Sequence, residues 1–183
     1  MEIKRNIIFL FSFKSKGMNI FFLHYDPKQC AQYHLDKHVV KMILETAQML
    51  YSVHWFLELE LPENAYKKTH VNHPCSVWAR NSLDNYIWLC ELGIELCKEY
   101  TFRYGKIHKT QKHIEWLKET VPVIPKLGLT TPAQAMPDEY KDSDPIQGYK
   151  NFYVKNKMVL RGILKYTKRE IPEWVGNIMV SVK

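Results

Sequence analysis

The segment of residues 33–55 restricts the folds open to this chain more than any other. It reads YHLDKHVVKMILETAQMLYSVHW, and its polar residues recur at steps of four, three, four and three positions: His34, His38, Lys41, Glu45 and Gln48. That spacing predicts that they share one face of a single helix. Almost every other residue of the segment is apolar, and a helix this apolar is normally buried. The sequence therefore predicts a central buried helix with one polar stripe.

This polar stripe is the best candidate for a functional surface. A carboxylate, an ammonium group and two imidazoles are costly to bury unless they pair with each other, bind a metal ion or line a wet cleft. The alternative is a solvated helix edge, on which Lys41 and Glu45 form an ordinary ion pair one turn apart. We interpret the stripe as functional and keep the solvated edge as the alternative.

Size and composition predict one compact domain. A chain of 183 residues buries enough surface to fold without disulfide bonds or a structural metal ion. Its 46% hydrophobic and 13% aromatic content excludes general disorder, and no apolar run approaches the roughly 20 residues needed to cross a bilayer. We expect a mainly α, compact single-domain helical bundle over residues 18–183, without membrane association. Residues 1–17 could be an N-terminal extension, because Met18 is a second plausible start.

The four cysteines favour a reducing compartment. They form no CxxC pair and stand at positions 30, 75, 90 and 97. Such spacing, in a chain without a convincing secretory signal, predicts free thiols in a cytosol-like environment. Cys90 and Cys97 are predicted as core residues of one helix. We expect a cytoplasmic monomer.

Local signals place two helix starts in the first half of the chain. Asp26 followed by Pro27 predicts a cap and a first turn that lead directly into the 33–55 helix. The Asn-His-Pro turn at 72–74 predicts the start of the longest helix, which ends near Gly105. The predicted core stripe of that helix is Val77, Leu83, Ile87, Cys90, Ile94 and Cys97.

The second half is predicted as a short helix, a long loop and a final helix. The short helix is expected near residues 109–120, with Ile114 and Leu117 at helical spacing. Prolines at positions 122, 125, 132, 137 and 145 then predict a long ordered loop or lid. The final helix is expected over residues 147–167.

Positive charge is concentrated at the end of the chain and favours a polyanionic partner. Of the net charge of +7, residues 148–183 carry +6, from eight Lys or Arg against Glu170 and Glu173. The final helix interleaves basic residues with Tyr149, Phe152, Tyr153 and Tyr166, which we predict to be core rather than stacking platforms. Its phosphate-binding candidates are Lys155, Lys157, Arg161 and Lys165. A solvated basic helix is the alternative.

Two kinds of chemistry fit the polar stripe. His34 and His38 stand four residues apart, a spacing at which two imidazoles can bind one metal ion, with Glu45, His70, His73 or Cys75 as further ligands. Neither an HExxH nor an ExxH pair is present, however, and Lys41 would repel a cation. The other reading is metal-free acid-base chemistry, in which Lys41 keeps Glu45 ionised.

Several of these motifs resemble a known family. The run MNIFFLHYDPKQC from Met18, then Lys37-His38 and Glu45 seven residues later, resembles the opening of the small pyrimidine-dimer DNA glycosylases with AP-lyase activity of phages, viruses and bacteria. The turn at 72–74 and the basic, aromatic stretch 165–174 are also similar to that family. The strings DKHVVKMILETAQ and NHPC further resemble phage and bacterial proteins of unassigned function.

The resemblance implies a compact all-α domain without a cofactor that acts on damaged duplex DNA. It would extrude a nucleotide and attack the sugar C1′ with an amine, forming an imine before strand cleavage. The essential glutamate falls on Glu45, and the position of the amine-bearing residue falls on Asn19, where the family has a small residue. Lys41 could supply the amine if burial lowered its pKa. The arginine expected beside the glutamate is absent, since Leu44 and Thr46 flank it.

We therefore expect a phage-like or viral-type DNA repair enzyme, a glycosylase (hydrolase) and lyase. The expected catalytic residues are Glu45, Lys41, His34 and His38, with the histidines positioning or protonating. The expected nucleic-acid contacts are Lys155, Lys157, Arg161, Lys165, Asn72 and His73. Two alternatives remain open: a metal-dependent enzyme built on His34, His38 and Glu45, and a nucleic-acid-binding protein without catalysis.

Overall fold

The computed structural model describes residues 18–158 and 164–181, and within them it is helical without strands. The helices are α1 (Pro27–Tyr33), α2 (Asp36–Phe56), α3 (Pro74–Asn81), α4 (Leu83–Tyr104), α5 (Gln111–Glu119), α6 (Pro145–Phe152) and α7 (Glu173–Val180). This confirms the mainly α prediction. The proposed extension 1–17, Arg161 and the side chain of Lys157 lie outside the described residues. No described helix is long and apolar enough to cross a membrane.

The predicted start of the first helix is confirmed, but α1 does not continue into α2. The Asp26 side chain accepts a hydrogen bond from the Gln29 N–H, with Pro27 in the first turn. His34 and Leu35 are then extended, with ψ values of 132° and 159°. The Leu35 N–H donates to the Tyr153 hydroxyl at 2.9 Å, so a distant contact satisfies the backbone at the break. The prediction that His34 shares the helix of His38 is therefore wrong.

A second break divides the predicted longest helix at Ser82. Ser82 is extended, caps α4 by accepting from the Asp84 N–H, and donates its hydroxyl proton to the Gly128 carbonyl at 2.8 Å. α4 ends, as predicted, at Gly105, which is left-handed with φ of 66°. The predicted core stripe is only partly right. Cys90 and Cys97 are buried, as is every cysteine among the described residues, and all are free, but Ile87 is exposed.

The proline-rich segment is the long loop that the sequence predicted, but the final helix is shorter. α6 starts at Pro145 and continues into π-type turns over Tyr153–Met158, whereas Lys165 and Tyr166 are not helical. The backbone N–H of Asp36 donates to the Lys165 carbonyl at 2.9 Å, so this stretch is used to anchor α2. Tyr149, Phe152, Tyr153 and Tyr166 are buried, which confirms them as core. α7 was not predicted.

α2 packs against α3, α4 and α5, and α4 packs against all of these and against α1. α4 packs tightly at Gly93, where a Cβ atom would lie 3.0 Å from two atoms of Ile114 and 3.1 Å from the Thr46 methyl group. Ile114 and Thr46 are themselves buried, so neither can move far. A side chain at position 93 would therefore separate α4 from α2 and α5.

Replacing Gly93 by Ala should lower the free energy of unfolding by about 1–3 kcal/mol, because overpacking outweighs the gain in helix propensity. Chemical denaturation measures this. The matched control is Gly176→Ala in α7, where a Cβ would meet nothing within 4 Å. That variant should gain about 0.5–1 kcal/mol. Equal effects of the two substitutions would contradict the packing argument.

A buried ionic cluster fixes the start of α2. The Arg103 side chain, on α4, donates to Asp36 Oδ1 at 3.0 Å, to Glu99 Oε1 at 2.8 Å and to the Gln32 carbonyl at 3.1 Å. Arg169 donates to both oxygens of Glu99, at 2.8 and 3.0 Å. The cluster thus joins α1, α2, α4 and the segment before α7.

The two carboxylates of this cluster are held in their charged form. Burial alone would raise the pKa of Asp36, but the hydrogen bonds from Thr167 and Arg103 outweigh it and bring that pKa below its usual value. Burial likewise acts to raise the pKa of Glu99, and Arg169 and Arg103 together lower it. Both groups therefore release their protons more readily in the folded chain than in the unfolded one.

Stability should consequently fall in acid. Because both pKa values are lower in the folded state, the unfolded chain binds more protons, and the free energy of unfolding declines as the pH drops from about 5 towards 3. Thr167→Val removes the 2.6 Å hydroxyl bond to Asp36 Oδ2 and should make this decline shallower. Denaturation curves at a series of pH values measure the difference. An unchanged pH slope in the variant would contradict the assignment.

Candidate active site

Glu45 lies in the middle of α2 with both carboxylate oxygens engaged. Its Oε1 is 2.8 Å from the Lys41 ammonium nitrogen, and its Oε2 accepts a hydrogen bond from the backbone N–H of Asn19 at 3.1 Å. Glu45 is only 8% exposed. A nearly buried carboxylate with a neighbouring cation and a main-chain donor is an arrangement that can stabilise positive charge or move a proton.

Lys41 pairs with Glu45 as the stripe predicted, but its side chain is 54% exposed. The sequence allowed Lys41 to act as an amine nucleophile only if it were buried. That condition is not met, so Lys41 is better suited to balancing the charge of Glu45.

Asn19 is buried, and its side chain joins three distant segments. Its Nδ2 donates to the Ala135 carbonyl at 3.0 Å, in the proline-rich loop. Its Oδ1 lies 3.1 Å from the Tyr149 hydroxyl of α6 and 3.6 Å from Cys75 Sγ of α3. Burial raises the pKa of the Cys75 thiol to about 12, so the thiol keeps its proton and can donate it. These contacts hold the Asn19 backbone beside Glu45.

The two histidines pack around Phe21, two residues after Asn19. The His38 ring stacks on Phe21 at a centroid distance of 4.8 Å, and the edge of Tyr153 lies against His38. The His34 ring is fully buried between Phe21 and Tyr153, and its Nδ1–H donates to the Cys30 carbonyl at 2.7 Å. Burial lowers the pKa of His34 to about 4, so the ring is neutral at pH 7.

The metal alternative does not find support in this arrangement. Within residues 18–158 and 164–181, no three His, Cys, Asp or Glu side chains converge as metal ligands would. His34, His38 and Glu45 therefore do not form the ligand set that their spacing suggested. The break after α1 is the reason, because it removes His34 from the helical face of the other two.

The predicted nucleic-acid contacts are only partly brought together. Lys155 lies half-buried in the π-type turns, whereas Lys165 is exposed in a non-helical stretch, so the prediction that both lie on one final helix is wrong. Asn72 is exposed beside His73, which caps α3 by accepting from the Cys75 N–H at 3.2 Å. Burial and the nearby His70 lower the pKa of His73. The turn that contains Asn72 and His73 is followed closely by Cys75, whose thiol contacts Asn19.

Two parts of the site were missed by reasoning from the sequence. The resemblance pointed to Asn19, but only the structure shows its nitrogen in contact with Glu45. Tyr149 was assigned to the core, where it is indeed buried, but its hydroxyl also reaches Asn19. No local pattern signals a contact across 130 residues of sequence.

Comparison with known proteins identifies a family for this chain. A family model described as pyrimidine dimer DNA glycosylase matches residues 18–114, more than half of the chain. The match starts at Met18 and covers Asn19, Glu45 and the turn before α3. The chain belongs to this family. No curated protein and no solved structure matches it.

Proposed function

We propose that this protein is a pyrimidine-dimer DNA glycosylase and AP lyase that uses Glu45 and no cofactor. The observation that carries the proposal is the 3.1 Å contact between the Asn19 nitrogen and Glu45 Oε2. This contact joins Asn19, the position to which the resemblance assigns the amine, and Glu45, to which the resemblance assigns catalysis. Membership of the family supports DNA as the substrate, and we propose damaged duplex DNA.

The nucleophile is the α-amino group of Asn19, freed when the peptide bond to Met18 is absent. Its lone pair attacks C1′ of the damaged nucleotide, and the glycosidic bond breaks as the base leaves with a proton. Opening of the sugar then gives an imine, and loss of a C2′ proton breaks the C3′–O bond. Glu45 stabilises the positive charge at C1′ and moves the protons. Lys41 pairs with the other carboxylate oxygen of Glu45, Oε1, and so balances its negative charge.

The remaining predicted residues take supporting roles in this proposal. His34, neutral and buried, and His38 hold Phe21 and so position the segment that carries Asn19. Lys155, Lys157, Arg161 and Lys165, with Asn72 and His73, contact the phosphate backbone, in keeping with the net charge of +7. Extrusion of the damaged base is assisted by its weakened pairing. We propose a cytoplasmic monomer.

Replacing Glu45 by Gln should reduce nicking of ultraviolet-irradiated supercoiled plasmid by about 10²–10⁴-fold, since the amide can neither accept a proton nor stabilise a cation. Affinity for irradiated DNA should change less than about twofold. A nicking gel in EDTA, with a binding titration alongside, makes both measurements. Glu91→Gln, on the exposed side of α4, is the matched control and should be as active as the unchanged protein. Full nicking by Glu45→Gln would refute the assignment.

Imine trapping should depend on a free Asn19 amine. A chain released from a fusion so that Asn19 is its first residue should cross-link to abasic-site DNA in borohydride, whereas a chain that keeps Met18 should not. Lys41→Met, in the chain that begins at Asn19, should still cross-link. Mass spectrometry of the trapped peptide identifies the modified residue. An adduct on Lys41 would show that Asn19 is the wrong nucleophile while leaving the lyase activity in place.

A further inference from the structure

We infer that Tyr149 is a positioning residue for the reaction, acting through Asn19. The inference rests on the proposed function, because it concerns the nitrogen assigned there as the nucleophile. The Tyr149 hydroxyl holds a short segment of the proline-rich loop, Ala133 to Ala135. That segment holds the Asn19 side chain, and the Asn19 side chain fixes the backbone nitrogen beside Glu45.

The Tyr149 hydroxyl contacts both the loop segment and the Asn19 side chain, but not Glu45. It accepts a hydrogen bond from the Ala135 N–H at 3.2 Å. Its single proton is within reach of the Ala133 carbonyl at 2.6 Å and of Asn19 Oδ1 at 3.1 Å. Tyr149 is fully buried, and burial raises its pKa well above the usual value, so the hydroxyl remains a donor. The group therefore fixes both the loop segment and the Asn19 amide.

The loop segment in turn limits the rotation of Asn19. The Ala135 carbonyl accepts from Asn19 Nδ2 at 3.0 Å, on the opposite side of the amide from Tyr149. The Ile20 N–H donates to Asn19 Oδ1 at 2.8 Å. An amide held on both its oxygen and its nitrogen cannot rotate without breaking a buried hydrogen bond, which is costly. The backbone nitrogen of Asn19 is therefore held in one direction, towards Glu45 Oε2.

The loop segment and Tyr149 together act as a clamp on the Asn19 side chain, and both lie outside the part of the chain that matches the family model. The match ends at residue 114, whereas the loop segment and Tyr149 follow it. The clamp also gives a reason for asparagine at position 19, where the resemblance leads us to expect a small residue. A small side chain could not reach the Ala135 carbonyl. Residues that follow the matched part thus position Asn19, which lies within it, beside Glu45.

Position matters because the reaction requires the amine to lie in line with C1′. Displacements of about 1 Å can cost as much as about 100-fold in rate. Loss of the Tyr149 hydroxyl leaves the Ala135 N–H and the Ala133 carbonyl without this partner, and the segment relaxes. We expect the rate of imine formation to fall while DNA affinity is retained, because Tyr149 and Asn19 are both buried and lie outside the basic residues proposed to bind phosphates.

Tyr153 is the matched control for Tyr149. It lies one turn further along the chain and is equally buried. Its hydroxyl accepts a hydrogen bond from a backbone N–H, that of Leu35, at 2.9 Å. Tyr153→Phe therefore removes a hydroxyl of the same kind from the same core, without touching the loop segment that holds Asn19. The Phe ring keeps the packing of Tyr153 against His34 and His38.

The experiment compares Tyr149→Phe and Tyr153→Phe in the full chain and in the chain beginning at Asn19. Denaturation should show similar losses of stability for both. In the chain beginning at Asn19, single-turnover borohydride trapping on abasic-site DNA should be slowed about tenfold or more by Tyr149→Phe and less than about twofold by Tyr153→Phe. The DNA dissociation constant should stay within about twofold for both. Equal trapping rates for the two variants would overturn the inference and leave the proposed function intact.

A second readout does not depend on activity. In the full chain the Asn19 N–H is an amide, and its hydrogen exchange can be followed by NMR. Tyr149→Phe should accelerate this exchange about tenfold relative to Tyr153→Phe, because the amide loses its fixed orientation towards Glu45. If the unchanged protein forms no imine but this difference is found, the clamp stands and the proposed function fails. Equal exchange in both variants overturns the clamp.

A double-mutant cycle tests whether Tyr149 acts through the Asn19 side chain. Asn19→Leu keeps the backbone nitrogen and the approximate size but removes every hydrogen bond of the side-chain amide. If the two residues form one clamp, adding Tyr149→Phe to Asn19→Leu should slow trapping by less than about twofold further. Multiplication of the two single effects would show that they act independently and would overturn the inference.

Discussion

The buried guanidinium of Arg103 is the interaction on which the rest of the bundle depends. A buried charge is costly unless it is paired, and Arg103 meets this requirement through Asp36, Glu99 and the Gln32 carbonyl. Those partners belong to α2, α4 and the end of α1, and Thr167 and Arg169 add the segment before α7. Because Asp36 is the first residue of α2, this cluster sets where α2 begins and therefore which way Glu45 faces nine residues later.

In contrast, the segment that carries Asn19 is held in the candidate active site by hydrogen bonds between neutral groups. Asn19, Cys75 and Tyr149 share hydrogen bonds around a single amide, and burial keeps the thiol and the phenol protonated. Such a network brings no additional charge to the Asn19 nitrogen. Its contribution is orientation, because a satisfied buried network has one arrangement and a partly satisfied one is costly. The ionic cluster thus fixes the helix, and the neutral network fixes the N-terminal segment against it.

Prediction from the sequence succeeded where the signal was local. The periodicity of α2 found the Lys41–Glu45 pair, the Asp26-Pro27 and His73-Pro74 pairs found two helix starts, and Gly105 found a helix end. It failed at His34 and Ser82, where the breaks are stabilised by Tyr153 and by Gly128 from distant parts of the chain. It also could not join Tyr149 to Asn19, for the same reason. Helical spacing carries no information on contacts of this range.

The contacts of Lys41 and Asn19 with Glu45 explain how this carboxylate can act beside an amine nucleophile in the proposed reaction. An unpaired buried carboxylate beside an amine would favour the protonated, unreactive form of that amine. Here Lys41 already takes Glu45 Oε1, while Oε2 faces the Asn19 nitrogen. The exposed ammonium group shares the negative charge of Glu45, so the carboxylate attracts the proton of the neighbouring amine less strongly. In the proposed reaction the half-exposed Lys41 therefore pairs with Glu45 and tunes it, and the buried Asn19 nitrogen is left to react.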